Sequence, residues 1–144
     1  MTDIDELCAQ QSEIDFDKSF DEVDERYKKG KIYMMKCNQT NICYIGSTIE
    51  DTLKRRVGKH VTDYKGYMGI NEKKRSYRAS FEVIYNNDYD IILLEEYPCN
   101  NKKELFHREA LWIFKMGVTH QLSNLTMPSR LSVIDLQTIT NLKY

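Results

Sequence analysis

The sequence predicts an α/β (α+β) fold, a small antiparallel sheet of three to four strands flanked by helices. Two short β-prone runs at 31–36 and 42–46 are joined by a polar, Asn-rich connector, which is typical of a hairpin. A second β-prone region covers 80–97, and helical patterns with cap residues follow both regions. A chain of 144 residues is enough for one such domain.

Charge is almost balanced over the whole chain but unevenly distributed along it. The 21 Lys and Arg residues oppose 22 Asp and Glu residues, a net charge of −1. Residues 1–26 hold ten acids and two bases, a net of −8, so residues 27–144 carry +7. A basic body favours a polyanionic partner. The acidic leader either competes with that partner for the basic body or only keeps the chain soluble, and both interpretations stay open.

Composition excludes several classes of protein. With 41% hydrophobic and 30% charged residues, the chain is not disordered as a whole. It has no apolar run long enough for a membrane span, and we expect an intracellular protein, cytoplasmic or nuclear and not secreted. Cys8, Cys37, Cys43 and Cys99 form no CxxC pair, which favours reduced, buried thiols over a zinc site and predicts no disulfide-linked partner.

The N-terminal elements come first in chain order. Phe16, Phe20, Val23 and Tyr27 share one helical face, which predicts an amphipathic helix over 15–28 that ends at Gly30. We therefore divide the chain into an acidic, partly helical leader (1–28), a central domain (29–127) and a C-terminal extension that is a candidate for a further helix (128–144).

The predicted hairpin leads into a helix. Thr48 and Asp51 have capping-box spacing, and an apolar stripe at 53, 57, 61 and 64 extends the helix to Gly66. A basic, irregular connection follows over 66–79. Strands are then predicted at 80–85 and 89–97, with a turn between them at 86–88.

Two further helices are predicted after the sheet. Asn101 and Glu104 are spaced to cap a helix that ends at Gly117. Pro128 and Ser129 form a start signal for a helix in the C-terminal extension.

Five side chains form the most informative group. Tyr33 and Tyr44 lie on the two paired strands, and Arg56 and His60 are four residues apart on the helix that follows. Glu109 interrupts the apolar stripe of its own helix, where a carboxylate is costly unless it is paired or bound to a metal. Each residue taken alone also has an ordinary structural explanation. The tyrosines would pack in the core, the histidine would be hydrogen-bonded within the fold, and Glu109 would form a structural ion pair.

Taken together, these motifs resemble the GIY-YIG nuclease family. Lys31-Ile32-Tyr33 and Tyr44-Ile45-Gly46 represent its two named strand motifs, followed in order by Arg-x-x-x-His, a later lone Glu and Asn124. The resemblance covers about 30–127 and is nearest to the compact stand-alone versions of phages and large DNA viruses. Lys31 stands where the family name has Gly, which we expect the backbone to tolerate.

The resemblance implies a metal-dependent DNA endonuclease. Glu109 would bind one hydrated Mg²⁺ or Mn²⁺, and Arg56 would clamp the scissile phosphate. Tyr33 would be the general base, its pKa lowered by cationic neighbours, with Tyr44 and His60 orienting the water or the phosphate.

The same resemblance suggests supporting and DNA-binding residues. Asn124 and Gly46 would support the site. Six basic residues would track the DNA backbone without reading sequence, namely Lys54, Arg55, Lys59, Lys73, Lys74 and Arg75. We expect a monomer or a transient dimer on DNA. The alternatives are an inactive DNA-binding or interaction module with the same fold and, with little support from spacing, a zinc-stapled domain.

Overall fold

A three-stranded antiparallel sheet forms the centre of the protein in the computed structural model, which describes residues 22–124 and 132–144. The strands are β1 (Lys31–Cys37), β2 (Cys43–Thr48) and β3 (Tyr89–Glu96), in the order β2-β1-β3. The helices are α1 (Leu53–Tyr67), α2 (Phe81–Ile84), α3 (Lys102–Gly117) and α4 (Val133–Asn141). The predicted fold class is confirmed. None of the helices in the described residues is long and apolar enough to cross a membrane.

The two faces of the sheet are covered by different helices, because alternate residues of each strand point to opposite sides. On one face, Ile32, Met34 and Ile45 pack with apolar side chains of α3 and α4, including the fully buried Trp112. On the other face, a second cluster forms from β1, α1 and α2. Its buried members are Tyr33, Met35, Cys37, Val57, Phe81, Val83 and Ile84.

The hairpin and the long helices lie close to where the sequence predicts them, but the predicted start of the first long helix is wrong. The β1–β2 register pairs Tyr33 with Gly46 and Met35 with Tyr44. Helix α1 begins after Thr52, whose side chain accepts a hydrogen bond from the backbone N–H of Arg55. Thr48, the predicted cap, instead ends β2 and is buried there.

The predicted strand over 80–85 is wrong. Phe81–Ile84 is one turn of helix, because Phe81, Val83 and Ile84 are all buried against the sheet face beneath α1. A short apolar run does not distinguish a strand from a buried helical turn, and tertiary burial decides the outcome here. The sheet therefore has three strands and not four.

The flanks agree only partly with the predictions. Of the helix predicted over 15–28, residues 15–21 lie outside the described part. Asp24 caps a short 3-10 helix, Glu25–Lys29, which ends at Gly30. Pro128 and Ser129 also lie outside the described residues, and α4 begins after Ser132, which forms a capping box with Asp135. Cys37, Cys43 and Cys99 are buried free thiols, while Cys8 is not among the described residues.

Candidate active site

A buried hydrogen-bonded chain links β1 to α1 and α2. The Tyr33 hydroxyl lies 2.6 Å from Nε2 of His60, and Nδ1 of the same ring lies 2.9 Å from Oγ of Ser80. Arg56 donates from Nε to the Tyr33 oxygen at 3.3 Å. Tyr33 and Ser80 are fully buried and His60 is 3% exposed, so these contacts are shielded from water.

The donor and acceptor roles along this chain depend on the tautomer of His60. Arg56 can only donate, so the Tyr33 oxygen accepts from it. In the tautomer protonated at Nδ1, the phenol donates to Nε2 and the ring donates to Ser80; in the other tautomer both of these bonds run the opposite way. Ser80 thus orients His60, as the third group orients the base in a catalytic triad.

Burial controls the pKa values of these groups. It raises the pKa of Tyr33 to about 12, although Arg56 acts in the opposite direction. It lowers the pKa of His60 to about 4, and the positive charge of Arg56 contributes to that shift. Arg56 lowers the pKa of Tyr33, as the sequence predicts for a cationic neighbour, but desolvation of the fully buried phenol outweighs one guanidinium and the net shift is upward.

Gly46 makes room for the tyrosine. A Cβ atom at this position would lie 2.5 Å from the Tyr33 hydroxyl and 2.9 Å from Cε1 of Tyr44. The Tyr44 ring contacts the edge of the His60 ring, with the centroids 5.5 Å apart. Burial raises the pKa of Tyr44 well above that of a free phenol. Both tyrosines and Gly46 therefore lie on the sheet face that α1 covers.

Glu109 approaches the same region from α3, which packs on the other sheet face. Burial raises the pKa of the half-buried Glu109 carboxyl, while hydrogen bonding from Ser47 and the charge of Arg56 lower it. The Glu109 charge in turn raises the pKa values of Tyr33 and Tyr44, which places all these groups in one electrostatic site. A cavity of about 200 Å³ beside them is lined by Ser47 and Arg56.

Asn124 closes the outer edge of β2. Its side-chain amide donates to the carbonyl oxygen of Ile45 at 2.8 Å and accepts from the N–H of the same residue at 2.9 Å. Because β2 is an edge strand, this pair of bonds takes the place of a neighbouring strand at Ile45, between Tyr44 and Gly46.

The six predicted DNA-binding residues are exposed, but their environments differ. Arg55 and Lys59, on the outer face of α1, are both paired with Glu50. Arg75, in the connection after α1, is paired with Asp63. Within the described residues, Lys54, Lys73 and Lys74 form no salt bridge, which leaves their ammonium groups to the solvent.

Sequence reasoning missed Ser80 and Ser47. The sequence predicts Ser80 at the start of a strand, where its side chain has no special role, and only the helical turn of α2 aims it at His60. Ser47 directly follows the Tyr44-Ile45-Gly46 motif, and its neighbour Glu109 is distant in sequence. A polar residue at the start of an apolar run was the only signal for Ser80.

The model of the GIY-YIG catalytic domain matches residues 29–115, more than half of the chain. The chain belongs to the GIY-YIG family. Membership makes it a nuclease-type domain, and nucleases of this family generally use a divalent metal ion. No curated protein and no solved structure matches the chain significantly.

The donor set of this GIY-YIG domain fits a hydrated magnesium ion better than a caged metal. In the described part of the chain, no three His, Cys, Asp or Glu side chains come together as a metal-binding group. Glu109 is half-buried and hydrogen-bonded by Ser47, a lining residue of the cavity, whereas the carboxylate that lines the cavity itself, Glu50, is already paired with Arg55 and Lys59. Mg²⁺ keeps several of its waters and needs only one or two carboxylates, so one Glu is sufficient.

Proposed function

We propose that this GIY-YIG protein is a metal-dependent endonuclease that hydrolyses DNA phosphodiester bonds. The observation that carries the proposal is the buried Tyr33–His60–Ser80 chain, with Arg56 bonded to its phenolic end. Such a chain is costly to bury, and Tyr33, His60 and Ser80 all fall within the residues that match the family model.

Tyr33 is the proposed general base, and His60 takes over its proton. As the phenolic oxygen removes a proton from the attacking water, its own proton passes to Nε2 of His60, 2.6 Å away. With pKa values of about 12 and about 4 in the free protein, moving the proton from Tyr33 to His60 costs about 11 kcal/mol, more than the roughly 7 kcal/mol for releasing it to water at pH 7. The relay therefore requires that bound substrate bring the two pKa values closer together and admit the attacking water to the phenol, which is fully buried in the free protein.

Arg56 is the proposed phosphate clamp. Its Nε is bonded to Tyr33, which leaves the terminal N–H groups of the planar guanidinium for two phosphate oxygens. Because Arg56 is half-buried and permanently charged, it opposes the negative charge that develops on the phosphate in a site of low polarity. Tyr44 packs against His60 and helps to orient it.

Glu109 is the proposed ligand of one Mg²⁺ or Mn²⁺ ion, which when bound would stabilise the developing charge and the leaving oxygen. Asn124 supports the site by fixing the edge strand. The exposed lysine and arginine side chains of α1 and of the connection after it contact the DNA backbone. They supply affinity that falls with salt and carries no sequence information.

The test is nicking of supercoiled plasmid with Mg²⁺. Glu109→Gln and Arg56→Ala should each abolish nicking, because one removes the metal ligand and the other the phosphate clamp. Melting temperatures should stay near wild type, which shows that the variants are folded. Glu109→Gln with full activity would contradict the assignment. Wild-type protein that binds plasmid without ever cutting it would favour the inactive DNA-binding module.

A further inference from the structure

The end of α1 and the connection after it expose an unusual group of apolar side chains. Tyr67, Met68, Ile70 and Tyr77 are 45%, 50%, 69% and 43% exposed. We call these four residues the 67–77 patch. Large apolar side chains that are grouped on a surface mark an interaction site more often than scattered ones do.

The backbone around the patch is firmly held. The N–H of Ile70 donates to the carbonyl oxygen of Lys65 at 2.9 Å, and the amide of Asn71 donates to the carbonyl oxygen of Thr62 at 3.2 Å. Gly66 allows the chain to fold back this closely, since a Cβ there would overlap the carbonyl oxygen of Lys73. The loop thus presents Met68 and Ile70 outward in a fixed arrangement.

The two tyrosines of the patch are held from beneath. Their rings meet edge to face with centroids 5.8 Å apart, and both rest on the buried Phe81 at 5.4 and 5.9 Å. The Tyr77 hydroxyl is bonded to the Glu82 carboxylate. Rigid rings lose little conformational entropy when a flat ligand stacks on them.

The charge around the patch selects the kind of ligand. Between residues 63 and 82 there are five basic residues, Lys65, Lys73, Lys74, Arg75 and Arg78, against three acids, Asp63, Glu72 and Glu82. Asp63 pairs with Arg75 and Arg78, so the net positive charge is carried by the three lysines. A second copy of the chain would bring two such basic surfaces together, which is unfavourable. Protein interfaces also exclude lysine from their apolar core, whereas here the bases alternate with the aromatic rings. A polyanion with flat apolar groups matches both features.

The position of the patch relates it to the candidate active site. Tyr67 follows His60 by seven residues on α1, a rise of about 10 Å along the helix axis. Phe81, which supports both tyrosines, directly follows Ser80, the partner of His60. A strand with its phosphate at Arg56 therefore needs only a few nucleotides to reach the patch.

We propose that the 67–77 patch stacks on unpaired bases of DNA next to the cleavage site, so that gapped or flapped DNA is the preferred substrate over continuous duplex. The inference rests on the proposed nuclease function. In a continuous duplex the base faces are covered by their neighbours, and the aromatic rings gain nothing. Where nucleobases are unpaired, each can stack on an aromatic side chain while the DNA phosphates contact the surrounding lysine and arginine side chains.

Binding of the full chain to a gapped duplex and to a continuous duplex of equal length tests the proposal, with EDTA present to prevent cleavage. A 2-aminopurine in the gap reports stacking. Wild type should bind the gapped DNA at least about fivefold more tightly, the low end of what one stacked base contributes. Tyr67→Leu with Tyr77→Leu keeps the apolar bulk but removes the ring faces, and should abolish this preference and the fluorescence change.

Tyr85→Leu is the matched control, since Tyr85 is a 68% exposed tyrosine outside the patch, and it should keep the preference. If the double variant does not fold, Ile70→Ser replaces it, and should reduce the preference by removing an exposed side chain from a held loop. Equal wild-type affinity for both DNAs overturns the proposal, as does a preference that survives the substitutions. A wild-type dimer that the substitutions convert to monomer, with the gap preference unchanged, would instead identify a self-association face.

Plasmid nicking with Mg²⁺ keeps the two proposals apart. If wild type nicks plasmid but does not prefer gapped DNA, only the stacking proposal fails. If it cleaves no DNA at all, the proposed nuclease function fails whatever the binding preference is.

Discussion

Gly46→Ala tests the geometry of the candidate active site with the smallest possible change. The added Cβ would lie 2.5 Å from the Tyr33 hydroxyl, 2.6 Å from Cζ and 2.9 Å from Cε1 of Tyr44. An ordinary carbon contact is about 3.5–4.0 Å, so the phenol must move by about 1 Å. Tyr33 is fully buried and bonded to His60 at 2.6 Å, and it cannot move that far without breaking this bond.

The expected loss is much larger in activity than in stability. Overpacking a buried site by one methyl group costs about 1–3 kcal/mol, which lowers the melting temperature by roughly 2–4 °C per kcal/mol in a chain of this size. A reacting group misplaced by about 1 Å costs on the order of 100-fold in rate. We therefore expect a folded protein that nicks supercoiled plasmid with Mg²⁺ about 100-fold more slowly than wild type.

Gly58→Ala is the matched control. Gly58 lies on α1 between Arg56 and His60, and a Cβ there meets no atom within 4 Å. The change should stabilise the helix by about 0.5–1 kcal/mol and leave nicking unchanged. Gly46→Ala with a wild-type rate would refute the reasoning, because Tyr33 would then need no fixed position. Equal loss in both variants would point to a general disturbance of the site.

Three further predictions concern His60, Ser80 and Asn124. Ser80→Ala should lower the nicking rate about tenfold at unchanged KM, and the ¹⁵N shifts of His60 should show a mixture of tautomers. Ser80→Thr keeps the hydroxyl and should restore the rate and the single tautomer. Ser76→Ala, the control, should change neither the rate nor the tautomer. Asn124→Ala should lower the free energy of unfolding in urea by about 1–3 kcal/mol, because it removes both bonds to Ile45; an unchanged midpoint would contradict this. Because burial lowers the pKa of His60 from 6.5 to about 4, the unfolded chain binds more protons between these values, so stability falls as the pH drops through that range. The loss in the free energy of unfolding that is due to His60 should reach about 3 kcal/mol and should be absent in His60→Gln. Glu109, whose pKa is raised, contributes in the opposite direction, but it does so equally in both proteins.

Elements with strong local signals were predictable from the sequence. The β1–β2 hairpin, α1 and α3 combine periodic apolar residues with clear turn or cap chemistry, and each lies close to its predicted position. The strand predicted over 80–85 was wrong because four apolar residues are too few to show whether their spacing is that of a strand or of a helix. Its helical turn is set by the space between the sheet and α1, which no local sequence feature specifies.

The candidate site was predictable as a set of residues but not as an arrangement. Order and spacing along the chain select Tyr33, Arg56 and His60, and the structure joins them by hydrogen bonds. The depth of burial is a property of the whole fold, and it reverses the expected direction of the Tyr33 pKa shift. The role of Ser80 likewise depends on a contact twenty residues away in sequence.

Lys31 shows how this chain departs from the glycine of the family motif without blocking the site. Its half-buried side chain donates from Nζ to the carbonyl oxygens of Lys29 and Glu50, at 2.8 and 2.9 Å. Glu50 lies between β2 and α1, and its carboxylate pairs with Lys59 of α1. Lys31 therefore ties the start of β1 to the segment that leads into the helix of Arg56. A glycine would leave both carbonyls to water, so the lysine adds a cross-link at the point where the strand and the helix of the site must keep their distance.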